Sequence, residues 1–166
     1  KHELVIERGN GIYIWNRMLY KSDIIRSCVT PFARSIGKLS ARQIREDAAG
    51  LKISPDRYIK RLLSEPNPLL TGQMLQEKLA VQCALNNNAF ALIIRDDYGF
   101  AQQIYPLPAT SVEALYDTDA NLYLRFSLRS GVTATYPYDD IIHIRNHFYD
   151  NDIFGESNID VLAPVM

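Results

Sequence analysis

Apolar positions along this chain change period once, near residue 88, and that change sets the expected architecture. Before it the spacing is helical. Ile24, Cys28, Phe32 and Ile36 fall at i+4 steps, with Ile25, Val29 and Ala33 on the adjacent row. This predicts an amphipathic helix capped by Ser22 or Asp23, closed by Gly37 at the C′ position and kinked at Pro31. Residues 38–46 are ambiguous and Asp47 to Gly50 reads as a turn. Ser54-Pro55 predicts a short helix with Ser54 as N-cap and Pro55 at its first position, carrying Tyr58, Ile59, Leu62 and Leu63 inward. Pro66-Asn67-Pro68 is expected to form a rigid corner, because a residue before proline is held extended. Thr71 then caps a third helix whose core residues should be Leu75, Leu79, Cys83, Met74 and Leu85.

After Asn86-Asn87-Asn88 the period becomes that of strands. Phe90 to Ile94 is continuously apolar, as expected for a strand covered on both faces. Asp96-Asp97-Tyr98-Gly99 turns it back into Phe100–Tyr105, and a further strand at 111–116 turns at 117–121. Leu122, Leu124, Phe126 and Leu128 alternate with Tyr123, Arg125, Ser127 and Arg129, and Ser130-Gly131 forms a hairpin into Val132–Tyr136. Ile141–Arg145 closes the series. Helices first and antiparallel strands after them make the expected class α+β: N-terminal helices packed on a mostly antiparallel sheet with β-hairpins. We read 1–166 as one domain, with an arm at 1–21, a mainly helical part at 22–87, a mainly β part at 88–146 and a junction at 147–166. The start at Lys1 rather than Met, and the stop at Met166 soon after a helix-start signal at Ser157 or Asn158, suggest a piece of a longer protein.

Composition narrows the class. A chain of 166 residues with 47% hydrophobic and 22% charged positions reads as globular. No apolar run approaches the ~18 residues of a membrane span, and no signal peptide or membrane partner is expected. Cys28 and Cys83 are read as small buried hydrophobes. The net charge of −1 conceals a split. Residues 1–62 carry 13 Lys/Arg and 6 Asp/Glu, net +7, whereas residues 63–166 carry 5 and 13, net −8. Such a split suits a solvated surface, head-to-tail association, or a basic half that meets nucleic acid.

Candidate chemistry mostly fails on geometry. His143 and His147 lie four apart, but a catalytic zinc generally needs three protein ligands and a structural one four. Asp150 to Gly155 opens like a calcium loop, then fails at Phe154 and at Val161, where a bidentate glutamate belongs. An acidic solvated loop turning at Gly155 is the expectation instead. No serine lies in a nucleophile elbow, no P-loop or dinucleotide fingerprint exists, and the Asp pairs occupy turns. We therefore expect no enzyme, no catalytic or metal residues and no cofactor.

Six ordered blocks carry more. They are Ser22 to Val29, Leu62-Leu63 through Pro66-Asn67-Pro68 to Thr71, Asn88-Ala89-Phe90-Ala91 through Arg95-Asp96 and Gly99, and Tyr105-Pro106-Leu107 before Ser111-Val112. Ile141 to Arg145 and then Gly155-Glu156-Ser157 complete the series. Together these resemble the portal proteins of tailed double-stranded DNA phages, in the family typical of long-tailed phages and prophages. Two departures stand out: Asn87 where a glycine is usual, expected to loosen the helix-to-strand crossing, and Asn158 where a proline often follows.

The resemblance implies a ring, usually of twelve subunits, at one capsid vertex, through which double-stranded DNA is packaged and ejected. Its partners would be other copies of itself, the terminase large subunit that supplies the ATPase, and the capsid and head-completion proteins. The expected location is the virion, after assembly in the host cytoplasm. Stem, clip and channel-lining parts come later than residue 166 in that family, so this piece resembles the N-terminal part of the wing. Pro66, Asn67, Pro68, Asn88, His143, Arg145, Gly155 and Ser157 are the candidate structural or interface residues. The alternative function is a nucleic-acid-binding module on segment 1–62, with Arg17, Arg26, Arg34, Lys38, Arg42 and Arg45 as its basic contact face.

Overall fold

A computed structural model describes residues 12–14, 21–53, 56–128, 130–147 and 152–156. The chain order is β1 (Ile12–Ile14), α1 (Asp23–Gly37), β2 (Ile44–Asp47), β3 (Gly50–Ile53), α2 (Arg57–Ser64) and α3 (Gly72–Asn86). It continues with β4 (Asn88–Arg95), β5 (Ala101–Pro106), β6 (Ala109–Tyr116), β7 (Leu122–Leu128), β8 (Thr133–Pro137), a 3-10 turn at Tyr138–Asp140 and β9 (Ile141–Arg145). One sheet has the order β1-β6-β7-β8, a second β5-β4-β9, and β2-β3 stand as a separate hairpin. Every pairing is antiparallel, so the class is α+β as the change of period predicts.

Strand β4 organises the layers. Alternate residues of a strand face opposite sides, so Phe90 and Leu92 share one face and Ala89 and Ala91 the other. Phe90 and Leu92 join Leu107, Val112, Leu124, Phe126, Ile141 and Phe154 in the largest apolar cluster, which couples the two sheets. Ala89 and Ala91 meet Leu75 and Leu79 of α3, with Ile104 beside them. The small alanines allow α3 to lie close to the sheet, and the large residues fill the space toward the four-stranded sheet. Behind α3, Ile25 of α1 packs on Leu85, flanked by Val29 and Val81.

Several local expectations change. α1 runs through Pro31 to Gly37, but Gly37 belongs to the helix and Lys38, in right-handed conformation, is the C-cap. A left-handed glycine cap is unnecessary, because the Gln76 carboxamide, with its nitrogen toward the helix end, donates to Ile36 O (3.0 Å) and Leu39 O (2.9 Å). The packed row of α1 is Ile25, Ala33 and Gly37, not Ile24, Cys28 and Phe32. Cys28 is exposed and Cys83 half-buried, so neither is the fully buried residue expected. Met74 is also half exposed.

The ambiguous stretch before Ser54 forms a hairpin, joined at the expected 47–50 turn. Its alternation is hard to read because the apolar face of Ile44, Leu51 and Ile53 is not buried. α2 starts at Arg57 and not at Pro55. Asp56 is its N-cap, accepting from the amides of Tyr58 (2.8 Å) and Ile59 (3.3 Å), while Ser54 and Pro55 lie outside the described residues. Ile59, Leu62 and Leu63 are half-buried and Tyr58 is exposed, its hydroxyl bonded to Ala101 O. Thr71 caps α3 as expected, and the turns at Asp96–Gly99 and Ser130-Gly131 join the strands foreseen. Most of the 1–21 arm lies outside the described residues; within it β1 adds an edge strand to β6.

Phe126 is fully buried where the two sheets meet, and Leu51 is 72% exposed at the hairpin tip. Phe126→Ala should therefore cost about 3–5 kcal/mol in equilibrium denaturant unfolding, and Leu51→Ser less than about 0.5 kcal/mol.

Candidate functional site: a buried junction between helix, sheet and return loop

The junction begins where α3 ends. Asn86 and Asn88 are buried with Asn87 between them, and Asn87 takes the left-handed conformation (φ 53°, ψ 14°) that reverses the chain into β4. Asparagine tolerates this region better than other non-glycine residues. Its side chain adds a tie that glycine cannot make: Nδ2 donates to Glu156 O at 2.7 Å. The crossing is tied by Asn87, and not loosened as the departure from the family pattern suggested.

Asn88 is the centre of the junction. Its Nδ2 donates to Asn86 O (3.0 Å) and to Gly155 O (2.7 Å), and its Oδ1 accepts the Gly155 amide (2.8 Å). The same Oδ1 lies 3.0 Å from His143 Nε2. Because the amide nitrogen already faces two carbonyls, the oxygen must face donors, so Nε2 carries the imidazole proton. Nδ1, 3.2 Å from the Tyr138 hydroxyl, is then the acceptor. Burial, and after it the charge of Arg145, pushes the His143 pKa down to about 4, so the ring is neutral at pH 7.

Aromatic packing completes it. His143 stacks on Phe90 with centroids 4.4 Å apart, and Phe154 approaches both rings at 5.8 and 6.3 Å. Phe154 and Gly155 are buried, so the loop expected to be acidic and solvated instead returns its apolar end to the core. A Cβ on Gly155 would land on the carbonyl oxygens of Asn87 and Asn146, which requires glycine there. Arg145, opposite Asn88 in the β4–β9 register, donates from Nη1 to Asp152 O and Ile153 O and holds the loop from outside.

Asn88, His143, Arg145 and Gly155 thus come together, whereas Pro66, Asn67 and Pro68 sit apart on the β5 edge. There Asn67 Nδ2 donates to Ile104 O (2.6 Å), the Ile104 amide donates to Pro66 O (2.8 Å), and Asn67 Oδ1 accepts the Leu69 amide. Pro66 is fully buried and Pro68 exposed, so the corner is a short extension of the sheet edge. Ser157 and Arg17 lie outside the described residues. Arg26, Arg34, Lys38, Arg42 and Arg45 are exposed along α1 and the hairpin, with Arg26 paired to Asp23. Among the described residues no group of three His, Cys, Asp or Glu is placed to hold a metal, and no helix is long and apolar enough to cross a membrane.

Sequence reasoning missed Gln82 and gave Asn87 a loosening effect opposite to the tie it makes. Gln82 bridges α3 to the sheet, donating from Nε2 to Leu107 O (3.3 Å) and accepting the Phe90 amide (3.1 Å) on Oε1. Its position carried a signal: Leu75, Leu79, Gln82 and Asn86 continue one helical stripe, and a polar residue on a buried stripe needs a partner.

Two outcomes follow from this geometry. Gly155→Ala should lose about 1–3 kcal/mol by overpacking against backbone, and Asn88→Ala a similar amount by leaving the Gly155 amide unpaired; both are read by denaturant unfolding. His143, with its folded pKa below the ordinary 6.5, binds its proton more readily when unfolded. Its contribution is therefore present above pH ~6.5 and is lost as pH falls toward 4, by at most about 3 kcal/mol. Replacement by glutamine should flatten the stability profile in that window, and unfolding titrations from pH 4 to 7 on both proteins check it.

With this geometry in hand, comparison with known proteins gives a consistent answer. The family model described as phage portal protein matches residues 23–166. An uncharacterized protein of Rickettsia bellii (strain RML369-C) is 24% identical over 146 residues, covering 84% of this chain and 37% of that protein. Among solved structures, the neck of an empty gene transfer agent (GTA) particle, computed with C6 symmetry, aligns with a TM-score of 0.72 at 17% identity over 94% of this chain. The virion of a native gene transfer agent particle aligns with a TM-score of 0.69, also at 17% identity and 94% coverage. This chain spans only 44% and 42% of those two structural neighbours. The neighbours establish the likeness of fold, and the family match establishes kinship: the chain belongs to the phage portal protein family.

Proposed function

We propose that this chain is a structural subunit of a portal ring at one capsid vertex, a conduit for genome packaging and ejection and a docking platform for terminase and head-completion proteins. The observation that carries the reading is the family match over residues 23–166. Neighbours described as necks of GTA particles computed with C6 and with C12 symmetry, the latter with a TM-score of 0.68 at 14% identity, support association into a ring, for which we propose twelve subunits. In this reading residues 1–166 are one unit of the wing, located in the virion and assembled in the host cytoplasm. The double-stranded DNA passes through parts of the subunit beyond it, and the junction directs the chain toward them.

A closed ring needs two different, complementary surfaces on each subunit. The opposite charge of the two halves supports this, as does the β2–β3 hairpin. A lone two-stranded hairpin is marginal in water, yet this one leaves Ile44, Leu51 and Ile53 exposed on one face, with Arg45 and Lys52 on the other. Contact with a neighbouring subunit would cover that face.

Negative-stain microscopy and light scattering of the full-length protein should show rings, and a Leu51→Ser/Ile53→Ser variant should shift them toward monomers with monomer stability unchanged. Monomers under all conditions would contradict the proposal. A mobility-shift titration at two salt concentrations separates it from the nucleic-acid reading of segment 1–62. Tight binding by this segment that collapses with salt would favour that reading, whereas the portal reading expects none.

A further inference from the structure

The row of α1 that the core leaves exposed borders a groove. Cys28, Phe32 and Ile36 face Leu79 and Cys83 of α3 across an open, mostly apolar space of about 560 Å³. Phe32 is 51% exposed there, and a contiguous exposed apolar patch of this kind marks a contact surface. The β2–β3 hairpin carries the opposite shape, a ridge. Residues paired across an antiparallel ladder share a face, so Ile44, Ile53, Leu51 and Glu46 lie together on one side of it. Ile44, Leu51 and Ile53 are each more than half exposed, so the hairpin does not fill the groove of its own chain.

We propose that the β2–β3 hairpin of one copy of this chain docks in the α1–α3 groove of the next copy. The inference rests on the portal reading, which sets a second copy beside the first, and it names the two surfaces that meet. Their lengths agree: a four-residue strand extends about 13 Å, and α1 rises about 12 Å from Cys28 to Ile36. Their chemistry agrees as well. Ile44, Leu51 and Ile53 would cover Phe32, Ile36 and Leu79, exchanging water for apolar contact on both sides. Glu46 brings a carboxylate to a groove that no described Asp or Glu lines, and whose polar end at Asn146 and His147 carries hydrogen-bond donors. The topology decides between occupants of the ridge. Two hairpins packed on each other would form an isologous contact that stops at a dimer, whereas a ridge in a different surface of the next copy propagates around a ring.

The test is made on the full-length protein, with Leu51→Cys set against the native thiols of the groove. Oxidation by copper phenanthroline should turn the monomer band of non-reducing gels into a ladder of linked subunits. Peptide mass spectrometry should place the bonds between position 51 and Cys28 or Cys83. Tyr98→Cys, which puts the thiol on the exposed β4–β5 turn instead, should give no link to either cysteine. Phe32→Ser, with far-UV dichroism unchanged, should shift rings toward monomers. Rings in which position 51 reaches neither cysteine, or reaches one only within its own chain, would overturn the inference and leave the portal reading standing. A ladder from Tyr98→Cys in place of Leu51→Cys would do the same, as would rings indifferent to Phe32→Ser. The absence of rings from the unsubstituted protein would contradict both.

Discussion

One carboxamide closes this fold. Asn88 is the first residue of β4, and its side chain reaches Asn86 before it, His143 on the neighbouring strand and both backbone groups of Gly155, 67 residues away in sequence. A buried amide that satisfies its donors and acceptor in this way contributes more than a single hydrogen bond, because removing it strands several buried partners at once. The close approach of Gly155 to two carbonyls, the neutral state of His143 and the burial of Phe154 all depend on that placement. The helix end, the last strand and the return loop therefore form one unit.

This unit accounts for the state of His143. His143 has a perturbed pKa, which often marks a catalytic group. Here the perturbation comes mainly from burial against Phe90 and Phe154, and both ring nitrogens are engaged by neutral partners. What the arrangement provides is position. It holds the chain at Glu156 fixed relative to both sheets and the helical layer.

The sequence was most readable where period and burial agree. Strands β4, β7 and β9 and helix α3 follow from their apolar patterns because each has a face that packs. The β2–β3 hairpin was not legible, since its apolar face is exposed and its pattern is too short to tell strand from loop. Both rows of α1 are apolar and read as one broad stripe, and only the position of α3 selects Ile25, Ala33 and Gly37. At the junction, Asn88, His143, Arg145 and Gly155 follow from motif order, while Gln82 does not and Asn87 is given the opposite effect. Their roles depend on partners distant in sequence, Leu107 and Glu156, which spacing alone does not bring together.

The central claim is that Asn88 fixes the return loop to the sheet, and the Gly155 amide reports on it directly. Native-state hydrogen exchange followed by NMR should find this amide protected to nearly the level of the β4 core amides, with the protection lost in Asn88→Ala while β7 stays protected. Exchange of the Gly155 amide at the rate of an unstructured peptide in the unsubstituted chain would contradict the account.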